Sequence, residues 1–202
     1  MKLPRYIIWI AFVVIVCIVV GIITFNAYKS SSPTNEKTSN TKVEDAEKFK
    51  KEYEELNNKE IDNHKLIELA IDKNNPIYYA SLNDIKKIQN GVILIGSPKD
   101  PNTRNLIPIL FSVADSRSLN TIYYLETTDS NKKELNTIYN IETKDTDLLI
   151  IKDSKLIYQS KGLGIKVEDK YKALSDNNKE KLASILGNKI DEINPGVCDE
   201  SC

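Results

Sequence analysis

Reactive side chains are scarce in this sequence. Its 202 residues include one histidine, His64, and three cysteines, Cys17, Cys198 and Cys202. A closed zinc site needs four nitrogen or sulfur ligands, so most such sites are excluded, and neither a metal nor a cofactor is expected. A single histidine also leaves little material for a histidine-activated nucleophile. Excess charge of one sign is missing as well. The 28 Lys+Arg and 29 Asp+Glu leave a net charge of −1, without the basic excess of a nucleic-acid binder. The length suits one domain plus accessories, since a domain takes roughly 100–200 residues.

Acidic residues are absent from positions 1–30, which carry only Lys2, Arg5 and Lys29 as charged side chains. The rest of the chain then holds 25 bases and 29 acids, a net of −4. Within the basic part, Tyr6 to Phe25 (YIIWIAFVVIVCIVVGIITF) is a run of 20 uncharged residues. As a helix it would span about 30 Å, the thickness of a hydrocarbon core. Tyr6 and Trp9 stand at one end and Tyr28 just past the other, as interfacial aromatics do. A signal peptide would show a shorter apolar region and a small-residue cleavage site. Residues 6–25 are therefore expected to be a transmembrane helix behind a cytoplasmic tail at 1–5. Cys17 lies mid-run after Val16 rather than a small residue, which suits a small apolar filler better than a lipidated cysteine. Lys2 and Arg5 favour an inside N-terminus, and a long C-terminal part translocates largely regardless of charge. The expected localisation is a single-pass cell-membrane protein with its C-terminal domain outside.

Residues 26–42 include the polar stretch SSSPTNEKTSNTK and read as a flexible linker. Residues 43–60 read as a charged helix, with Phe49, Tyr53 and Leu56 forming one thin apolar stripe that docks on the domain. From residue 61 to 195 strand and helix patterns alternate. Lys65–Ile71 (KLIELAI) reads as a strand. Ser81 and Asp84 suggest a capping box opening a helix through Ile88. Val92–Gly96 (VILIG) is apolar enough for a strand buried on both faces. A helix over Pro101–Ser116, a strand over Thr121–Glu126 and a helix over Lys132–Tyr139 follow. Leu148–Ile151, Asp153-Ser154 and Leu156–Tyr158 make a hairpin. Ser175 caps a last helix to about Ile193. The order is β-α-β-α-β-α-β-β-α, an α/β arrangement. Parallel strands closed by an antiparallel hairpin and a final helix make the expected fold class thioredoxin-like, a central mixed sheet flanked by helices.

Gly96–Leu110 (GSPKDPNTRNLIPIL) resembles the active-site segment of thioredoxins. It is most similar to membrane-anchored bacterial thioredoxin-like proteins, some named bacteriocin-transport accessory proteins. In that family a strand runs into a helix through G-x-P-x-C-P-x-C-R, with a proline five residues after the second Cys. Gly96, Pro98, Pro101, Arg104 and Pro108 stand at the matching places. The resemblance takes in FKKEYEELN, NNPIYYAS, IYYLET and ALSDNNKEKL, and covers about Phe49 to Cys202.

The residues that carry the family's chemistry are missing. Asp100 and Thr103 occupy the two cysteine positions, and Thr146 falls where the family places a cis-proline. Disulfide exchange needs an attacking thiolate and a resolving thiol. Asp and Thr supply neither. A cis bond before a non-proline costs about 2.5–4 kcal/mol, so a trans bond is expected at Thr146. Asp100-Pro101 instead suits a helix start, with Asp as N-cap and Pro at the first helical position. Pro108 should kink the helix it sits in. His64 lies in a polar stretch and reads as a solvated surface residue. The ten tyrosines read as core and sheet-edge residues.

Residues 196–202 form a tail carrying Cys198 and Cys202. The family tends to end in the same C-x-x-x-C, which implies an inherited pair, and outside the cell such a pair is expected to be oxidised to a disulfide. Three roles stay open: a compact structural knot, an exchangeable redox pair, and a metal-binding or interchain pair. Asp199 and Glu200 between the sulfurs would raise their thiol pKa values, which favours the first. The functional expectation is a non-catalytic binding or accessory module that has lost its C-x-x-C site and meets an extracytoplasmic protein partner at the groove beside Asp100 and Thr146. The alternative is a thiol-disulfide oxidoreductase working through Cys198 and Cys202.

Overall fold

The computed structural model describes residues 35–194. The transmembrane helix expected at 6–25, the tail at 1–5, Cys17, Cys198 and Cys202 lie outside these residues. Among the described residues no helix is long and apolar enough to cross a membrane. The chain divides into two compact units, Met1–Asn40 and Thr41–Cys202. The second unit contains the sheet and the site.

Helix α1 runs from Asn35 to Glu54. It starts inside the stretch expected to be linker and stops short of residue 60. After Pro33 no proline or glycine interrupts the polar sequence up to Glu54, and i,i+4 pairs support the helix at Lys48–Glu52, Lys50–Glu54 and Lys51–Glu55. Two members of the expected stripe dock, Phe49 and Tyr53, both fully buried in the main core, while Leu56 falls past the helix end and is half-buried.

A two-stranded hairpin follows, β1 Glu60–Ile61 and β2 His64–Lys65. Asp62 and Asn63 both take positive φ at its tip, the conformation a tight two-residue turn requires. The strand expected over Lys65–Ile71 does not form. Leu66, Leu69 and Ile71 are buried, but their segment joins no ladder. Apart from the Leu66 amide, which donates to the Lys59 carbonyl at 2.9 Å, its backbone bonds to side chains. Asn57 brackets Leu69, its Oδ1 accepting from the Leu69 amide and its Nδ2 donating to the Leu69 carbonyl. Glu54 accepts from the Ile71 amide and Lys50 donates to the Ile71 carbonyl.

The first strand of the main sheet is therefore β3, Ile77–Tyr79. With that shift, the β-α-β-α-β-α-β-β-α order is the one observed. Helix α2, Leu82–Ile85, opens on the reciprocal Ser81/Asp84 capping box and ends before Ile88. Strand β4, Gly91–Gly96, is buried throughout. Helix α3 covers Pro101–Ser116, β5 Ile122–Glu126 and α4 Asp129–Tyr139. Strands β6, Asp147–Lys152, and β7, Lys155–Gln159, form a hairpin turning on Asp153 and Ser154, both at positive φ. Ser175 caps α5, Asp176–Asp191.

The five strands lie in the order β3-β5-β4-β6-β7. β3 and β4 run parallel to β5, while β6 is antiparallel to β4 and β7 to β6. Alternation along the strands splits the core into two layers. Val92, Leu94, Leu148 and Ile150 meet α1, α3 and α5 on one face. Ile93, Ile95, Leu149 and Ile151 meet α2 and α4 on the other. The domain is a mixed five-stranded sheet flanked by helices.

Candidate functional site

The segment with the motif resemblance joins the carboxyl end of β4 to the start of α3. Asp100 caps α3 in extended backbone, its Oδ1 accepting from the Asn102 amide at 3.0 Å, with Pro101 in the first turn. Thr103, one turn into the helix, faces back onto β4. A Cβ on Gly96 would lie 2.5 Å from the Thr103 Cγ2, so only glycine permits that approach. Antiparallel pairing sets Asp147 opposite Ile95, which brings Thr146, just ahead of β6, beside Thr103.

The three residues close on one another. The Ser97 amide donates to Thr103 Oγ1 at 3.3 Å. Thr103 and Thr146 hydroxyls lie 2.5 Å apart, and the Thr146 hydroxyl donates to Asp100 Oδ2. Each hydroxyl has one proton; Thr146 gives its own to the carboxylate, and Thr103, 3.4 Å from Asp100 Oδ2 as well, shares its own between the Thr146 oxygen and the carboxylate. Thr103 is 0% and Thr146 2% exposed. Both side chains are closed off from solvent, and no thiol stands in the cluster. There are no cis peptide bonds among the described residues, as expected at Thr146.

Two buried charges hold this cluster from behind, and sequence reasoning misses both roles. Arg104 enters that reasoning only as part of the motif. It is fully buried, with Nε donating to the Ile67 carbonyl at 2.6 Å and Nη1 to the carbonyls of Tyr53 and Pro98 at 3.0 and 3.1 Å. Nη2 donates to Asn57 Oδ1 at 2.6 Å. No carboxylate pairs with it among the described residues. Burial lowers its pKa, with the Tyr53 hydroxyl acting the other way. Arg104 thus clamps the loop at Pro98 to the end of α1 and to the irregular 66–71 segment. The second charge is Asp147, also fully buried. It accepts from Gln159 Nε2, the Ser160 hydroxyl and the Lys161 and Lys144 amides. It fixes the turn that presents Thr146. The available signal for Asp147 is a lone acid adjoining LLII; for Arg104 it is a lone base among the apolar residues of α3.

Tyrosines line the core below. The Tyr124 hydroxyl donates to the Gly96 carbonyl at 3.0 Å and lies 3.2 Å from the Tyr53 hydroxyl. Burial raises both pKa values, so both stay neutral. With Phe49 and Tyr79 they form an aromatic cluster. His64 stands apart. It is exposed, stacks on Tyr171 at 3.8 Å and bonds to the Asp62 carbonyl.

Among the described residues no group of three or more His, Cys, Asp or Glu side chains could hold a metal ion. The rim of the cluster carries exposed Lys99 and Lys144. No protein-family model and no curated protein matches this chain.

Proposed function

We propose that this chain is a membrane-anchored, extracytoplasmic thioredoxin-like protein whose redox site has become a closed structural cluster, and that it acts as a non-catalytic binding or accessory module. The carrying observation is the mutual hydrogen bonding of Asp100, Thr103 and Thr146 at the three positions the resemblance assigns to chemistry. Strand order and direction agree with a thioredoxin-like arrangement. The uncharged run at 6–25 supplies the anchor. The exposed rim around Lys99 and Lys144 is where an extracytoplasmic protein partner would meet the domain.

Disulfide reduction of insulin by dithiothreitol gives the first test. The full chain should not accelerate it, whereas the variant Asp100→Cys/Thr103→Cys/Thr146→Pro should. Acceleration by the unmodified chain that vanishes in Cys198→Ser would overturn the reading in favour of a redox protein working through its tail. Photo-crosslinkers placed at Lys99 and Lys144 in intact membranes test the binding role. A discrete adduct there, absent with the same probe at Lys179 on α5, is the expected result. Equal adducts at all three positions would sink the rim as a binding surface.

A further inference from the structure

At the Gly91 end of β4 the surface opens into two hollows, of about 270 and 390 Å³, that share Ser118, Leu119 and Asn120. There the Lys42 ammonium donates to the Asn120 carbonyl and, at 3.3 Å, to Thr121 Oγ1, and Asn194 Nδ2 donates to the Arg117 carbonyl at 2.7 Å. The two lateral edges of the sheet, β3 and β7, differ more sharply.

The β3 edge is taken. The Pro76 carbonyl and the Ala80 amide bond to β5, so by alternation Ile77 and Tyr79 turn outward. The Ile77 amide donates to Asn75 Oδ1 at 3.2 Å and the Tyr79 amide to Asp45 Oδ2 at 2.9 Å. Helix α1 lies along this edge, its Ala46 carbonyl accepting from Asn75 Nδ2 at 2.8 Å.

The β7 edge has no such cover. Apart from its ladder to β6, the β7 backbone makes no hydrogen bond among the described residues. Which groups are left can be worked out. The Leu148 amide donates to Ser160 Oγ at 2.8 Å, and its carbonyl accepts from the Ser160 amide at 3.0 Å. Leu148 therefore faces the β7 side, and Leu149 and Ile151 face β4. Their opposites on β7, Gln159 and Leu156, turn N–H and C=O outward. Ile157 is the unpaired residue of a bulge. Leu156 and Gln159 thus oppose residues two apart, and their outward groups keep the spacing of a regular strand.

Charge selects what can pair there. Lys152, Lys155 and Lys161 are exposed and form no ion pair among the described residues, and Asp153 is the one acid between them. Glu142, next to Lys161, is engaged by Lys144 at 2.6 Å. Lysines on an edge oppose self-pairing, since a second copy would set the same excess positive charge against itself. Acids on an incoming strand would meet it favourably.

We propose that the β7 edge receives an extended acidic segment of another protein as an added strand, held by the backbone of Leu156 and Gln159 and by the ammoniums of Lys152, Lys155 and Lys161. In strand addition the main-chain bonds supply affinity and the side chains supply choice of partner. Adducts at the Lys99 and Lys144 rim and strand addition at β7 can each occur without the other.

Hydrogen exchange on the full chain tests this with a capped peptide alternating Glu and Val, compared with the same alternation carrying Lys for Glu. The Glu peptide in excess should slow the Leu156 and Gln159 amides about tenfold, leave those of Ile77 and Tyr79 unchanged, and act more strongly than the Lys peptide. Methylating the peptide's backbone nitrogens should abolish the effect. In Lys152→Glu/Lys155→Glu/Lys161→Glu the Lys peptide should protect instead, with β4 amides unchanged to show an intact fold. Equal exchange with and without the Glu peptide overturns the proposal. So does protection by the methylated peptide, equal protection by both charge types, or a preference for Glu that survives the charge reversal.

Discussion

The two ends of β4 are finished in opposite ways. At Gly96 the end is sealed: Thr103 presses on the glycine, Thr146 and Asp100 consume the remaining hydrogen bonds, and Arg104 clamps the loop from below. At Gly91 the end opens on two hollows with an ammonium bonded only to neutral oxygens. The sealed end is the one where the motif resemblance places chemistry. Asp100, Thr103 and Thr146 each find a partner among the other two, and the buried polar side-chain atoms among the described residues stay satisfied.

The contrast is most exposed at Arg104. Arg104→Met would strand carbonyls of Tyr53, Ile67 and Pro98, and a buried acceptor without its donor costs about 1–3 kcal/mol. We expect about 3–5 kcal/mol lost in urea unfolding, from several such acceptors stranded together. A loss under about 1 kcal/mol would show that the sealed end holds without its clamp. Gly96→Ala comes next, at about 1–3 kcal/mol for overpacking against Thr103. Adding Thr103→Ala should recover part of it, and a double-mutant cycle reads the coupling. Thr146→Val keeps the shape and removes one hydroxyl; about 1–2 kcal/mol is expected from the lost hydrogen bond to the Asp100 carboxylate. At the open end, Asn194→Ala should lose only about 0.5–1 kcal/mol, one ordinary hydrogen bond. An effect there as large as that of Thr146→Val would erase the contrast.

The smallest expected effect is a pH dependence at Glu54, beside the clamp. Its pKa is lowered, first by the Ile71 amide and then by Lys50. A carboxylate with a folded pKa below its unfolded value near 4.3 gives its full contribution above about pH 5 and loses it as pH falls through the folded pKa. Glu54→Gln should remove that part of the acid sensitivity. Unchanged urea midpoints between pH 3 and 6 in the variant and the parent would contradict it.

What was legible in the sequence was local or strongly patterned. Asp100-Pro101 and Ser81/Asp84 reveal helix starts because a cap satisfies amides two or three residues away. VILIG and LLII reveal central strands because burial on both faces demands continuous apolar runs. KLIELAI misled for the same reason. Leu66, Leu69 and Ile71 are buried, but apart from the Lys59 carbonyl the backbone partners of the segment are Asn57, Glu54, Lys50 and Arg104 side chains, which no local spacing announces. The site divides likewise. That Asp100 and Thr103 stand where the resemblance puts cysteines could be read directly. That Thr103 and Thr146 would bond each other depends on the β4/β6 register, and Asp147 depends on a loop 13 and 14 residues away.

The Arg104 clamp also orders events in time. Its guanidinium joins Asn57 and Tyr53, 47 and 51 residues distant in sequence, and Ile67, 37 distant. Closing such loops precedes any reward from the contacts they make, whereas the Asp153-Ser154 hairpin closes locally. On that ground we expect the clamp to form late in folding. Weakening the clamp should therefore act on the unfolding rate and leave the folding rate nearly unchanged. The residue that clamps the sealed end would then set how long the native domain survives between openings.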